Sequence, residues 1–331
     1  MNLNKNNMAA SPSDWRIVVL DGYVANSGDL SWDALAQLGR LMVYERTSPA
    51  QIVDRCRGAF AVFTNKVVLD AQTIGMLPDL KFIGVLATGY NNVDIQAARR
   101  AGITVCNVPA YSTASVVQTV FALLMALTNR VETYAASVAR GDWTACRDFS
   151  YRLSPVEELD GLTMGVYGLG NIGSRVAQTA AVFGMKVISF TSKTQQQLPP
   201  YIEKVSRDQL FSRSDVLSLN APLTADNAAF VCAETLALMK PSAILINTAR
   251  GGLVDEQALA EALRSGKIRA AGLDVLCSEP PKADCPLIGL DNCLITPHIA
   301  WQSTAARRRL LQISASNLAA FLSGHPTNIV P

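Results

Sequence analysis

The sequence predicts an α/β protein built from two doubly wound parallel-sheet domains. Three observations carry this. Short apolar runs alternate with helix-like segments along most of the chain, the rhythm of parallel strands covered on both faces. A Gly-x-Gly-x-x-Gly turn, Gly168-Leu169-Gly170-Asn171-Ile172-Gly173, restarts that rhythm midway, with a strand-like stretch before it and a helix-like one after. The chain has 331 residues, 49% hydrophobic and 17% charged, enough for two compact cores.

The first series opens with Arg16-Ile17-Val18-Val19-Leu20, an apolar strand stopped by the turn pair Asp21-Gly22. Residues 32–38 read as a helix and residues 40–44 as a strand. A helix over 49–56 starts on Pro49, and Ala59-Phe60-Ala61-Val62-Phe63 is a strand. The helix over 71–76 closes at Leu77-Pro78. A strand over 80–86, a helix over 94–101 and a strand over 103–106 complete the series. Asn107-Val108-Pro109 breaks the pattern and marks a domain crossing.

Residues 113–139 read as one long helix. Its middle, residues 116–124, is apolar on nearly every side, which predicts burial all round and packing against a second subunit in a homodimer. Gly141-Asp142-Trp143 follows as a loop tip. The second series then runs from the strand Thr163-Met164-Gly165-Val166-Tyr167 through the glycine turn into a helix at Ser174-Arg175-Val176-Ala177. Further strands fall at 187–190, 215–219, 243–246, 270–273 and 293–295. A closing helix over 303–322 is stopped by Gly324 and Pro326.

The bulk numbers exclude several classes. Net charge is +2 with Lys and Arg scattered, so neither a nucleic-acid track nor a membrane-surface face is expected. The seven cysteines show no C-x-x-C and no Cys/His ligand spacing. They read as mostly buried thiols in a reducing, cytoplasmic setting, with no metal site. The first dozen residues are polar, and Lys5 has no apolar stretch behind it, which suggests a loose leader rather than a signal peptide. The most apolar run, 116–127, is too short to span a bilayer and carries Gln118 and Thr119.

The glycine turn carries the first chemistry. Gly168 permits the tight turn, Gly170 lets a pyrophosphate approach the backbone, and Gly173 lets helix and sheet pack closely. The free N–H groups at the start of the helix then face the phosphates of a dinucleotide. Ligands of doubly wound sheets bind beyond the carboxyl ends of the strands. Three later strands end in Asn247-Thr248-Ala249-Arg250-Gly251-Gly252, Asp274-Val275-Leu276-Cys277-Ser278-Glu279-Pro280 and Thr296-Pro297-His298-Ile299-Ala300-Trp301. They gather one Arg, one Glu and one His. A guanidinium can hold a carboxylate and polarise the adjacent carbonyl. An imidazolium can protonate a developing alkoxide, and a carboxylate beside it fixes its orientation. Arg250, Glu279 and His298 therefore suit hydride transfer to a 2-keto acid. The chain has only two histidines, and the second, His325, lies in the tail between Gly324 and Pro326.

With these motifs in order, the chain resembles the D-isomer-specific 2-hydroxyacid dehydrogenase family from about Arg16 to the C-terminus: GLGNIG, INTARGGLVDEQAL, GLDVLCSEP and TPHIAW. The resemblance implies a flavodoxin-like substrate domain over 1–109 and 300–331, to which the closing helix returns. It also implies a Rossmann nucleotide domain over 110–299 with a dimerisation helix at 113–139, and a cleft between the two. It makes Arg250 the substrate-polarising residue, His298 the acid/base and Glu279 its partner. Asp274 would meet the nicotinamide carboxamide, with Asn171, Ile172, Asn220, Pro222, Thr248 and Ala249 as further cofactor contacts. The loop Ala87-Thr88-Gly89-Tyr90-Asn91-Asn92-Val93-Asp94 is similar to the family's substrate loop, whose amides near Thr88 and Gly89 hold the carboxylate. ATGYNNVD and TPHIAW resemble the glycerate dehydrogenase and hydroxypyruvate/glyoxylate reductase branch, in which an aromatic like Trp143 is offered to the neighbouring subunit's pocket.

One departure bears on the cofactor. An NAD-preferring member places Asp or Glu after the second strand to hold the ribose 2′-OH. Here the chain reads Phe190-Thr191-Ser192-Lys193, without an acid and with a cation. Thr191, Ser192 and Lys193 suit a 2′-phosphate, so NADP(H) is favoured over NAD(H). The expected activity is reduction of a small 2-keto acid, hydroxypyruvate or glyoxylate first, to the D-2-hydroxy acid. The alternatives are a D-lactate-type or bulkier 2-keto acid reductase and, remotely, a dinucleotide-sensing corepressor-like binding protein.

Overall fold

The computed structural model describes residues 15–331. The chain divides into two compact units: Gln302–Pro331 with the chain up to Ser112, and Thr113–Trp301.

The first unit is a parallel five-stranded sheet. Its strands are β1 (Arg16–Val19), β2 (Arg40–Val43), β3 (Ala61–Thr64), β4 (Phe82–Val85) and β5 (Thr104–Cys106), in the order β2-β1-β3-β4-β5. The helices between them are short: α1 (Asp33–Ala36), α2 (Ile52–Cys56), α3 (Ala71–Gly75) and α4 (Ile95–Arg100). The expected helix over 32–38 shrinks to one turn, and 49–51 form a 3-10 turn ahead of α2. Asp70 and Asp94 begin α3 and α4 by accepting from the amides of Thr73 and Ala97, as N-caps do. β3 and β4 are buried on both faces, which is why they read as continuous apolar runs. A long helix near the C-terminus, here α11 (Thr304–Leu322), lies in this unit, starts on the Ser303 cap and packs Phe321 against Phe60 and Phe82. Its Arg307 makes a two-pronged ion pair with Asp29 at 2.7 and 2.6 Å.

The second unit departs from expectation at its start. The helix expected over 113–139 is two helices, α5 (Thr113–Asn129) and α6 (Val131–Ala139), bent by 55°. Arg130 sits between them in the left-handed region at φ +50°, a conformation that interrupts a right-handed helix. The apolarity of α5 is also explained within the chain. Val117, Val120, Phe121, Leu124 and Leu127 are buried in the unit's own core with Met164, Val166 and Val176. Along this stretch the exposed apolar side chains lie instead on and after α6: Val131, Val138, Trp143, Phe149, Leu153 and Val156. A groove of about 600 Å³ runs along this arm between Val131, Tyr134, Val138 and Val156.

The sheet of this unit has seven parallel strands: β6 (Thr163–Tyr167), β7 (Lys186–Phe190), β8 (Ile202–Lys204), β9 (Val216–Leu219), β10 (Ile244–Asn247), β11 (Ala270–Leu273) and β12 (Cys293–Ile295). Their order, β12-β11-β10-β9-β6-β7-β8, reverses direction between β6 and β9, and such a switch point opens a ligand crevice. The helices are α7 (Asn171–Val182), α8 (Arg207–Arg213), α9 (Ala233–Leu238) and α10 (Glu256–Arg264). No single helix among the described residues is long and apolar enough to cross a membrane.

All seven cysteines are free. Only Cys56, Cys106 and Cys293 are buried, and burial pushes their thiols up to about 12, 11 and 12. The expectation of mostly buried thiols fails for Cys146, Cys232, Cys277 and Cys285, none of which lies within a helix or strand.

Candidate active site

The glycine turn leaves β6 at the switch point. Gly168 has φ +85°, and a Cβ there would lie 2.9 Å from the Cα of Ala221, which follows β9. At Gly173 a Cβ would lie 1.9 Å from the carbonyl oxygen of Gly168. Only glycine lets the start of α7 fold back onto the turn. Gly170, the N-cap, has open space where a side chain would stand. The result is a backbone cradle at the positive end of a helix.

Two buried polar atoms at this sheet edge have no hydrogen-bond partner among the described residues: Asn220 Oδ1, after β9 and against Gly173, and Thr248 Oγ1, after β10. Asn220 spends its amide N–H groups on the carbonyl and hydroxyl of Ser218, both at 3.1 Å. Orphaned buried polar groups are costly unless a ligand meets them. Cradle and orphans together fit a dinucleotide with its phosphates on the turn. Lys193, after β7, folds back so that its ammonium donates to the Leu169 carbonyl of the same turn at 3.0 Å. Lys204 in β8 donates to the Lys193 carbonyl at 2.6 Å and fixes that loop. Lys193 is expected from the sequence to face a 2′-phosphate; Lys204, which no motif distinguishes, joins its loop only in the fold. Thr191 is half-buried and Ser192 and Pro222 are exposed.

Three neighbouring strands, β10, β11 and β12, deliver the remaining residues to the same edge. Asn247 ends β10 fully buried; its Nδ2 donates to the Arg250 carbonyl at 2.9 Å and its Oδ1 accepts from the Ala249 amide at 3.0 Å. This Asx staple sets the loop that presents Arg250. The signal was available, as an Asn directly after a buried strand favours such a turn. Arg250 is exposed, donates to its neighbour Ala249 at 2.7 Å, and makes no ion pair among the described residues. Gly251 follows, and a Cβ there would meet the Leu276 carbonyl carbon at 2.0 Å. The Arg250 loop thus touches the loop that carries Glu279, backbone to backbone.

Glu279 is held from one side by the Leu276 amide, 3.1 Å from Oε1. Its Oε2 lies 2.5 Å from Nδ1 of His298. An ionised carboxylate only accepts, so Nδ1 carries the hydrogen and Nε2 is the ring atom left to hand over a proton. Both side chains keep about a third of their surface, 34% and 30%. His298 stands in the left-handed region at φ +55°, a costly conformation for a non-glycine residue.

That conformation is enforced by Asp274, fully buried after β11. Its backbone carbonyl accepts from the His298 amide at 2.9 Å. Its carboxylate accepts from Thr296 Oγ1 at 2.5 Å, the Ile299 amide at 2.9 Å and the Ala300 amide at 2.8 Å. Burial raises the carboxyl above its ordinary value, and the Thr296, Ala300 and Ile299 donors and the nearby His298 hold it back. Ser115 at the start of α5 adds a 2.6 Å bond to the Ala300 carbonyl. Asp274 was read from the sequence as a cofactor contact. Here three of the roughly four acceptor sites of its carboxylate serve the His298 loop.

Trp143 stands apart from this cluster's bonds: it is half-exposed on the arm after α6 and donates to the Phe149 carbonyl at 3.0 Å. Thr88 and Gly89 belong to the first unit, in the loop after β4. The Thr88 hydroxyl donates to the Val108 carbonyl at 2.9 Å, and its carbonyl accepts from Asn107 Nδ2 at 2.7 Å. Among the described residues nothing accepts from the amides of Thr88 and Gly89.

Comparison with known proteins follows the same lines. Residues 121–300 match the family model described as D-isomer specific 2-hydroxyacid dehydrogenase, NAD binding domain. The chain is 43% identical over 319 residues to a hydroxypyruvate reductase of Blautia hydrogenotrophica, covering 95% of this chain and 99% of that one. It is 43% identical over 290 residues to a glycerate dehydrogenase of Methylorubrum extorquens, covering 87% and 90%. Among solved structures it is similar to an acyclic imino acid reductase in complex with NADPH and D-Arg, with TM-score 0.83, 30% identity and coverage of 96% and 100%.

The contact at Gly251 yields a prediction. Gly251→Ala forces the Arg250 and Glu279 loops apart and lowers kcat/KM by at least about 100-fold. The cofactor dissociation constant, measured by nicotinamide fluorescence, changes less than kcat/KM because the Gly168–Gly173 turn is untouched.

Proposed function

The chain belongs to the D-isomer-specific 2-hydroxyacid dehydrogenase family, and from that premise we propose that it reduces a small 2-keto acid, hydroxypyruvate or glyoxylate first, to the D-2-hydroxy acid with NADPH. The observation that carries this reading is the 2.5 Å hydrogen bond from His298 to Glu279, on the sheet edge that also carries Arg250.

Arg250 binds the substrate carboxylate through its guanidinium fork and draws electron density from the adjacent carbonyl. The amides of Thr88 and Gly89, which donate to no backbone carbonyl among the described residues, are left to donate to a carboxylate. His298 gives the proton at Nε2 to the carbonyl oxygen as negative charge develops there, and Glu279 steadies the ring in the charged and neutral forms. When bound, the nicotinamide supplies the hydride. Gly168, Gly170 and Gly173 with Asn171 and Ile172 hold the pyrophosphate on the start of α7. Asn220, Pro222, Thr248, Ala249 and Asp274 are the other cofactor contacts. Lys193 and Lys204, with Thr191 and Ser192, favour a 2′-phosphate. The acidic side chain that would repel one is absent from residues 190–193. A relative solved with NADPH points the same way.

A homodimer through the exposed arm after α6, with Trp143 reaching the partner's substrate, completes the proposal. A monomer by sedimentation at micromolar concentration contradicts that part.

Two variants test the rest. His298→Ala lowers kcat/KM for glyoxylate and hydroxypyruvate by about 10²–10⁴-fold while the cofactor still binds; near-wild-type turnover ends the reading. The wild type prefers NADPH to NADH by kcat/KM, and Lys193→Ala reduces the NADPH value by about tenfold or more with little change for NADH. An NADH preference in the wild type, or equal losses with both cofactors, contradicts the assignment.

A further inference from the structure

The sheet of the first unit also has a switch point, between β1 and β3. In such folds the crevice there takes a ligand. Here a side chain of the protein fills it. Asp21, buried after β1, accepts from three successive backbone amides after β3: Asn65 at 2.7 Å, Lys66 at 2.6 Å and Val67 at 3.0 Å. Consecutive amides converging on one point form an anion nest, and the Asp21 carboxylate is its anion.

What the nest fixes is the next loop along the sheet. Asn65, itself 4% exposed, donates from Nδ2 to the Leu86 carbonyl at 2.7 Å, at the root of the Thr88–Gly89 loop. The far end of that loop is fastened to the same segment. Asn92 Nδ2 donates to the Val67 carbonyl at 3.0 Å, the Leu69 amide to the Asn92 carbonyl at 2.8 Å, and the Asp94 amide to the Leu69 carbonyl at 2.9 Å. Both ends of residues 86–94 are therefore tied to residues 64–69, whose shape Asp21 sets. The amides of Thr88 and Gly89 are left over, with their loop immobilised around them.

We propose that Asp21 and Asn65 are positioning residues for the substrate carboxylate, acting through the Asp21 nest and the Asn65–Leu86 bond to hold the Thr88 and Gly89 amides ready before substrate arrives. This rests on the 2-keto acid reading above. Neither side chain touches substrate. Each lowers the cost of ordering donors that would otherwise have to be fixed on binding.

The test uses the full-length protein with Asn65→Ala, which removes one donor and leaves the nest amides in place, and Asp21→Asn, which keeps the shape and removes the charge. Each is assayed for KM and kcat with glyoxylate, for the inhibition constant of oxamate as an unreactive carboxylate probe, for NADPH affinity by fluorescence, and for Tm. The expected result is a KM and an oxamate constant both raised at least about fivefold, with NADPH affinity unchanged and kcat affected less than KM. A merely structural role moves Tm and kcat and leaves the oxamate constant alone. KM and oxamate constant unchanged in either folded variant overturns the proposal. The two variants break different bonds, so loss of folding in one leaves the other decisive. A wild type inactive on every 2-keto acid fails the underlying reading instead, and is distinguished before any variant is made.

Discussion

The His298 loop, at the carboxyl edge of the larger sheet, depends on how the buried carboxylate of Asp274 is satisfied. A charge withdrawn from water costs several kcal/mol if it is left unmatched. Here it takes a hydroxyl and two amides, and its own backbone carbonyl takes a third amide. Hydrogen bonds to a charged group contribute about 1.5–3 kcal/mol each, while the left-handed backbone of His298 costs about 1–3 kcal/mol. In the loop so held, the imidazole meets Glu279. Asp274, which makes no bond to the imidazole, thus sets where the His298 ring stands.

The two units solve the same problem in opposite ways. Each is a parallel sheet whose strand ends carry loops that must be rigid without regular structure. In the larger unit Asn247 and Asp274 fasten the loops, and the switch point is kept open by glycines whose Cβ atoms would strike backbone. In the smaller unit the switch point is closed by Asp21, and the free amides appear one strand further on, after β4. Open cradle and plugged nest differ in the residue placed at the switch point: glycine in the larger unit, aspartate in the smaller.

The strands, their parallel rhythm and the glycine turn were legible because they are local. Apolar runs such as Ala61-Val62-Phe63 mark strands buried on both faces, and Gly168, Gly170 and Gly173 carry their constraint in their spacing. That Arg250, Glu279 and His298 come to one sheet edge was legible because each follows a strand. The break at Arg130 was not, since no glycine or proline marks it and apolar residues continue on both sides. β8 and α8 were missed because they are short and amphipathic only against neighbours distant in sequence. The work of Asp274, Ser115 and Asn65 is written in contacts across 26, 185 and 21 positions, which no spacing rule reaches.

The scarcity of histidine makes the account testable with one spectrum. With the imidazole nitrogens labelled, His298 and His325 are the only ring signals. The account predicts a low-field Nδ1–H resonance from His298, held by Glu279 in the wild type and lost or averaged with water in Asp274→Ala, although Glu279 is intact. The same low-field resonance, unshifted in Asp274→Ala, would show that the His298–Glu279 pair stands without the buried carboxylate, and would contradict the claim.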